Sequence, residues 1–115
     1  MHHRFTRDQR VLTKSDFDRV FSKPTSRVSN KYLLLLARQE DEPRARLGLV
    51  MSKKNVGNAI KRNRIKRLCR ECFRQQAASL PSADLVLLAR PGISKLENNE
   101  ISLLIQSLFD KLRGR

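Results

Sequence analysis

Histidine, cysteine, acidic residues and long apolar runs are all scarce in this chain, and each shortage removes a class of chemistry. The only histidines, His2 and His3, are neighbours at the N-terminus, so no His-based general acid and base can be set around a substrate. Cys69 and Cys72 are the only cysteines. Their C-x-x-C spacing could suggest a redox pair or half a zinc site, but zinc would need about two further ligands. Both fall on an apolar helix face, where free cysteine behaves as a small hydrophobe, so they are assigned to the core. The longest apolar run, Tyr32 to Ala37, falls far short of the ~20 residues that span a bilayer. The leading MHHRFTRDQR lacks the apolar middle of a signal peptide. The chain is therefore expected to be cytoplasmic, with reduced thiols and no membrane-spanning segment. Asp16 and Asp18 lie near a helix start, and Glu40, Asp41 and Glu42 lie in a turn. Capping and solvation account for these acids, and nothing in their spacing suggests the converging carboxylates of a two-metal nuclease. There is no internal repeat and no low-complexity segment.

Positive charge is what the chain has in abundance. Twenty-five Lys and Arg against eleven Asp and Glu give a formal net charge of +14 on 115 residues, well beyond what solubility asks of a small domain. RNA, DNA and an acidic membrane surface are the partner classes that match. The length fits one domain, 1-115, that buries about two-thirds of its unfolded surface.

The charge concentrates in KRNRIKRLCRECFR, residues 61 to 74. Ile65, Leu68, Cys69, Cys72 and Phe73 recur at the spacing of one buried helix face. Asn63, Lys66, Arg67, Arg70 and Arg74 gather on the opposite side of the same wheel. Like charges three or four residues apart cost an isolated helix a few tenths of a kcal/mol each, so a polyanion is the natural counterpart of this face. Glu71 can pair with Arg67 or Arg64 along the helix.

Around this helix the pattern predicts a short one over Ser15 to Phe21, capped by Ser15 or Asp16, with Phe17, Val20 and Phe21 on one face and Pro24 beyond its end. Tyr32 to Arg38 and Ala45 to Ser52 read as strands, joined as a hairpin through the turn at Glu40 to Pro43. KKNVGNA is a basic connector, Asn58 the N-cap of the long helix, and Pro81 its stop. Asp84 to Ala89 reads as a strand buried on both faces. Asn98 to Leu112 reads as an amphipathic helix using Ile101, Leu104, Ile105, Leu108 and Leu112. The fold class is α/β (α+β), a two-layer sandwich with mixed strand pairing.

SKKNVGNAIKRNRIKRLCRECFR resembles the signature of the bacterial ribonuclease P protein component: an Arg-Asn-Arg triplet, then Lys-Arg, then Arg and Phe-Arg in one helix. LTKSDFDRVF, RLGLVMSKK and DLVLLARPG extend the resemblance over most of the chain. The general rule makes a strand-helix-strand crossover right-handed, whereas the resemblance implies a left-handed one. It also implies the protein subunit of an endoribonuclease whose large RNA holds the catalytic Mg2+ and removes the 5′ leader of precursor tRNA, with no catalytic residue in the protein. The protein would be a monomer, one per RNA. Carried over by motif, Lys53, Lys54, Arg62, Asn63, Arg64, Lys66, Arg67, Arg70 and Arg74 would dock the catalytic RNA. Phe17 and Phe21 on the first helix, with Leu33 and Leu35 on a strand, would line a cleft for the leader. The family often carries an aromatic where Leu35 stands; an aliphatic side chain packs against a base without stacking on it.

Each assignment has a plainer counterpart. Basic faces are often only solvated surface, and two aromatics on one helix face are more often core than base platforms. Two other functions share parts of the pattern. A ribosomal or other structural RNA-binding protein needs the basic helix but no leader cleft, and a protein-only metal nuclease would cut without an RNA subunit.

Overall fold

The computed structural model describes residues 12–41 and 44–114. His2, His3 and Asp8, and the turn residues Glu42 and Pro43, lie outside the described residues. Helix α1 (Lys14–Ser22) leads into strands β1 (Ser26–Ser29), β2 (Leu33–Gln39) and β3 (Arg46–Val50). A single helical turn, α2 (Lys53–Val56), precedes the long α3 (Ala59–Gln76), which is followed by β4 (Ala83–Ala89) and α4 (Asn98–Arg113). Short 3-10 turns at Ala77–Ser79 and Ile93–Lys95 connect these last elements.

The strands form one sheet in the order β1-β2-β4-β3. This corrects the expected hairpin between the second and third strands, because β4 inserts between them, antiparallel to β2 and parallel to β3. The cause lies in β4 itself. Leu85 and Leu87 on one face and Val86 on the other are all completely buried, and only a central strand has both faces and both edges covered. The actual hairpin joins β1 to β2. β1 reads Ser-Arg-Val-Ser, too short and polar to register as a strand.

Each sheet face carries its own packing. Leu33, Leu35, Ala37, Leu47, Leu85, Leu87 and Ala89 join Ile65, Leu68, Cys69 and Phe73 of α3 and Ile101, Ile105, Leu108 and Phe109 of α4 in the main core. On the other face Leu36 and Val86 pack under Val20 of α1, with Leu12 beside them. The cysteines belong to the main core. Burial pushes the Cys69 thiol up to about 12, which leaves it unreactive near neutrality. Cys72 is also raised by burial.

Helix α1 is capped by Thr13, two or three residues earlier than Ser15 or Asp16 would place it. The Thr13 hydroxyl accepts from the Asp16 N–H at 3.2 Å, and the Asp16 carboxylate accepts from the Thr13 N–H at 2.9 Å, a reciprocal capping box. Asp16 is thus part of the cap from within the helix. The same carboxylate contacts Arg19 and lies 3.4 Å from the Arg46 guanidinium. Arg46 in turn grips the buried Asp84 of β4 through two hydrogen bonds, at 2.7 and 2.8 Å. One arginine therefore fastens α1 to the middle of the sheet.

Candidate nucleic-acid interface

Helix α3 forms where the sequence places it. The Asn58 side chain accepts from the Lys61 N–H at 3.0 Å, capping the first turn, and the apolar stripe turns inward. Asn63, Arg67, Arg70 and Arg74 stand exposed, and Lys66 is half-buried at the border of the stripe. No ion pair among the described residues joins Glu71 to Arg67 or Arg64, so the cations of this face are not neutralised from within the helix. Lys53 and Lys54, both exposed, extend the charge onto α2. Ser52 caps that turn, accepting from the Asn55 N–H at 3.1 Å, and Asn55 donates to the Ala89 carbonyl at 2.8 Å, tying α2 to the end of β4. Gly57 makes the corner between α2 and α3 with φ +117, a conformation that side chains with a Cβ rarely adopt.

Two motif arginines depart from the exposed basic face. Arg62 is half-buried, and its Nε is enclosed without a hydrogen-bond partner. Arg64 turns toward the segment before α4. Its Nε donates to Asn98 Oδ1 at 2.6 Å, Nη1 donates to the Ser94 carbonyl at 3.1 Å, and Nη2 donates to the Leu96 carbonyl. The helix wheel holds a sign of this, since Arg64 precedes Leu68 by one turn and so flanks the apolar stripe.

The expected cleft needs correction. Leu33 and Leu35 have no exposure and belong to the main core, on the sheet face away from α1. Successive strand residues point to opposite faces, so their neighbours Leu34 and Leu36 face the first helix. Pairing sets these out as rows across the sheet. Arg27, Leu36, Val86 and Gly48 form one row, whose Leu36, Val86 and Gly48 are buried. The next row, Ser29, Leu34, Leu88 and Val50, is only half-buried. Phe17 packs against the first of these rows. Its ring occupies the space over Gly48, where an added Cβ would fall 2.6 Å from Cζ. Phe21 lies beside it with centroids 6.4 Å apart and planes 20° from parallel, and is 45% exposed. The open apolar strip is therefore Leu34, Leu88 and Val50, on the sheet face that also carries α1 and its two stacked phenylalanines. Val50 ends this strip only three residues before Lys53, so the strip runs into the basic surface.

This arrangement suits a flexible polyanion with exposed bases: rings and aliphatic side chains for base faces, cations for phosphates. Among the described residues no group of three His, Cys, Asp or Glu side chains could hold a metal ion, and the two buried carboxylates are engaged by Arg46. No helix among them is long and apolar enough to cross a membrane.

The family model for Ribonuclease P matches residues 5–113. The chain is 46% identical over 108 residues to the ribonuclease P protein component of Pseudomonas paraeruginosa, covering 94% of this chain and 80% of that protein. It is 45% identical to that of Pseudoalteromonas atlantica, over 96% of this chain and 92% of the relative. Among solved structures, the RNase P protein of Staphylococcus aureus superposes with a TM-score of 0.82 at 27% identity, covering 89% of this chain and 93% of that one. That of Thermotoga maritima gives 0.79 at 27% identity, covering 90% and 96%.

Proposed function

This chain belongs to the ribonuclease P protein family, and from that premise we propose how its two surfaces serve the tRNA 5′-processing endoribonuclease of which such a protein is a subunit. Ribonuclease P RNA is its partner. The exposed cations of α3 and α2 dock that RNA, and the Phe17–Phe21 pair together with Leu34, Leu88 and Val50 holds the single-stranded 5′ leader of precursor tRNA. Hydrolysis, and the Mg2+ that supports it, are assigned to the RNA. The protein acts by binding and orientation: cations at clustered phosphates take over part of the work of diffuse ions, and a held leader keeps the scissile bond in place. The whole chain works as a single RNA-binding domain, as one monomer per RNA, in the cytoplasm. The observation that carries this reading is the meeting, at Val50 to Lys53, of an open apolar strip and the basic surface that α2 and α3 share. A structural RNA-binding protein would need only the second of these.

Reconstitution tests the division of labour. Protein stripped of nucleic acid is expected to leave precursor tRNA intact, whereas adding it to the cognate catalytic RNA lowers the magnesium needed for cleavage. Cleavage by the protein alone would show that the chemistry was placed on the wrong partner.

The cleft has its own test. Phe21→Leu removes an exposed ring and should weaken holoenzyme binding to precursor tRNA by about 1 to 3 kcal/mol per lost stack. Binding to mature tRNA and thermal melting should stay near wild type. Equal weakening for both RNAs would remove Phe21 from the leader site. Phe17→Leu should show the same selectivity with a melting loss added, since Phe17 also packs over Gly48.

A further inference from the structure

We infer that Arg64, which the family signature would make an RNA ligand, is instead a positioning residue that sets the orientation of the docking helix. The inference rests on the proposed docking of RNA by α3 and goes beyond it. One guanidinium spans Asn98 Oδ1 and the carbonyls of Ser94 and Leu96, acceptors spread over the turn and the first residue of α4. A planar fork meets each of the three from a different nitrogen, whereas a lysine ammonium offers all its donors from one nitrogen on a flexible stem. The far end of that segment is also fixed. The Arg90 N–H donates to the Tyr32 carbonyl at 2.9 Å, and Arg90 Nη1 donates to the Asn30 carbonyl at 2.9 Å, at the start of β2 and beside the half-buried row. Arg64 therefore links the helix that presents Arg67 and Arg70 to a segment anchored at the end of the leader strip. With three of its five donors directed into the protein, the side chain works through geometry rather than as a phosphate contact.

The test compares Arg64→Lys, Asn98→Ala and Arg67→Ala, measuring affinity of the full chain for the catalytic RNA across a salt series, with melting as the folding control. Arg64→Lys keeps the charge, so a phosphate contact would survive it nearly intact. A positioning role predicts a loss of about tenfold, the equivalent of ~1.4 kcal/mol, at every salt concentration and with an unchanged salt slope. Asn98→Ala removes one acceptor and no charge, folds with the two carbonyl bonds left, and should lose affinity in the same salt-independent way by a smaller factor. Arg67→Ala should lower the slope by roughly one. Wild-type affinity in Arg64→Lys, or no effect of Asn98→Ala, overturns the positioning role while a reduced slope in Arg67→Ala leaves the docking face standing. An unchanged slope in Arg67→Ala overturns the docking face, and the positioning role with it.

Discussion

Replacing Arg67 and Arg70 together by Ala is expected to shrink the salt slope of binding to ribonuclease P RNA by roughly 1 to 2 units, with the protein still folded. Each phosphate contact contributes about 0.7 to 0.9 to that slope. Both side chains are exposed on α3, away from Ile65, Leu68, Cys69 and Phe73, so the core should not register their loss. Relief of like-charge repulsion along the helix should if anything raise melting slightly. Affinity falls most at low salt, where counterion release is worth most. A folded double variant with the wild-type slope would exclude this face as the docking surface.

The second large effect concerns stability. Asp84 is 1% exposed and accepts both hydrogen bonds from Arg46, so Asp84→Ala leaves a guanidinium facing an apolar sheet. Breaking a buried pair from one side costs about 3–5 kcal/mol. Arg46 keeps some exposure and the Asp16 contact, which puts the loss at the low end, a fall in Tm of roughly 10 °C. Asp16 adds a pH dependence. Burial pushes its carboxyl up, but hydrogen bonds from the Thr13 backbone and side chain, with Arg46 and Arg19, outweigh it and hold the group below its ordinary 3.8. A depressed carboxylate stabilises the fold above its unfolded value and loses that contribution as pH falls through the folded one. Asp16→Asn should therefore melt lower than wild type at neutral pH, with the gap closing below about pH 4. A gap that stays constant into acid would show that the carboxylate charge does not fasten α1.

What could be read from the chain follows the range of the forces involved. The long helix was legible because its signals are local: the Asn58 cap, the Ile65-Leu68-Cys69-Phe73 period and the cations opposite them. Strand order was not. The apolar run of β4 announced that it was buried on both faces, but which strands flank it depends on pairings between residues about 38 to 56 positions apart. The face of β2 was likewise hidden, because Leu33, Leu34, Leu35 and Leu36 are chemically identical and alternation alone does not say which parity meets α1. That one-residue ambiguity is what exchanged Leu33 and Leu35 for Leu34 in the cleft. The contacts of Arg64 were hidden for a different reason: a motif records which residue type occurs, not where its donors point.

The central position of β4 also governs the order in which the chain can fold. During synthesis, β2 and β3 emerge with nothing between them, and α3 follows with a stripe that has no completed sheet to cover. Until Ala83–Ala89 leaves the ribosome, two leucine-rich strands present unpaired edges, and the strand that satisfies both arrives only after an 18-residue basic helix. Closure of the sheet is thus a late, long-range event, slow for its size, and a nascent chain stalled before residue 83 would expose sticky strand edges on a polycation at the surface of an RNA machine.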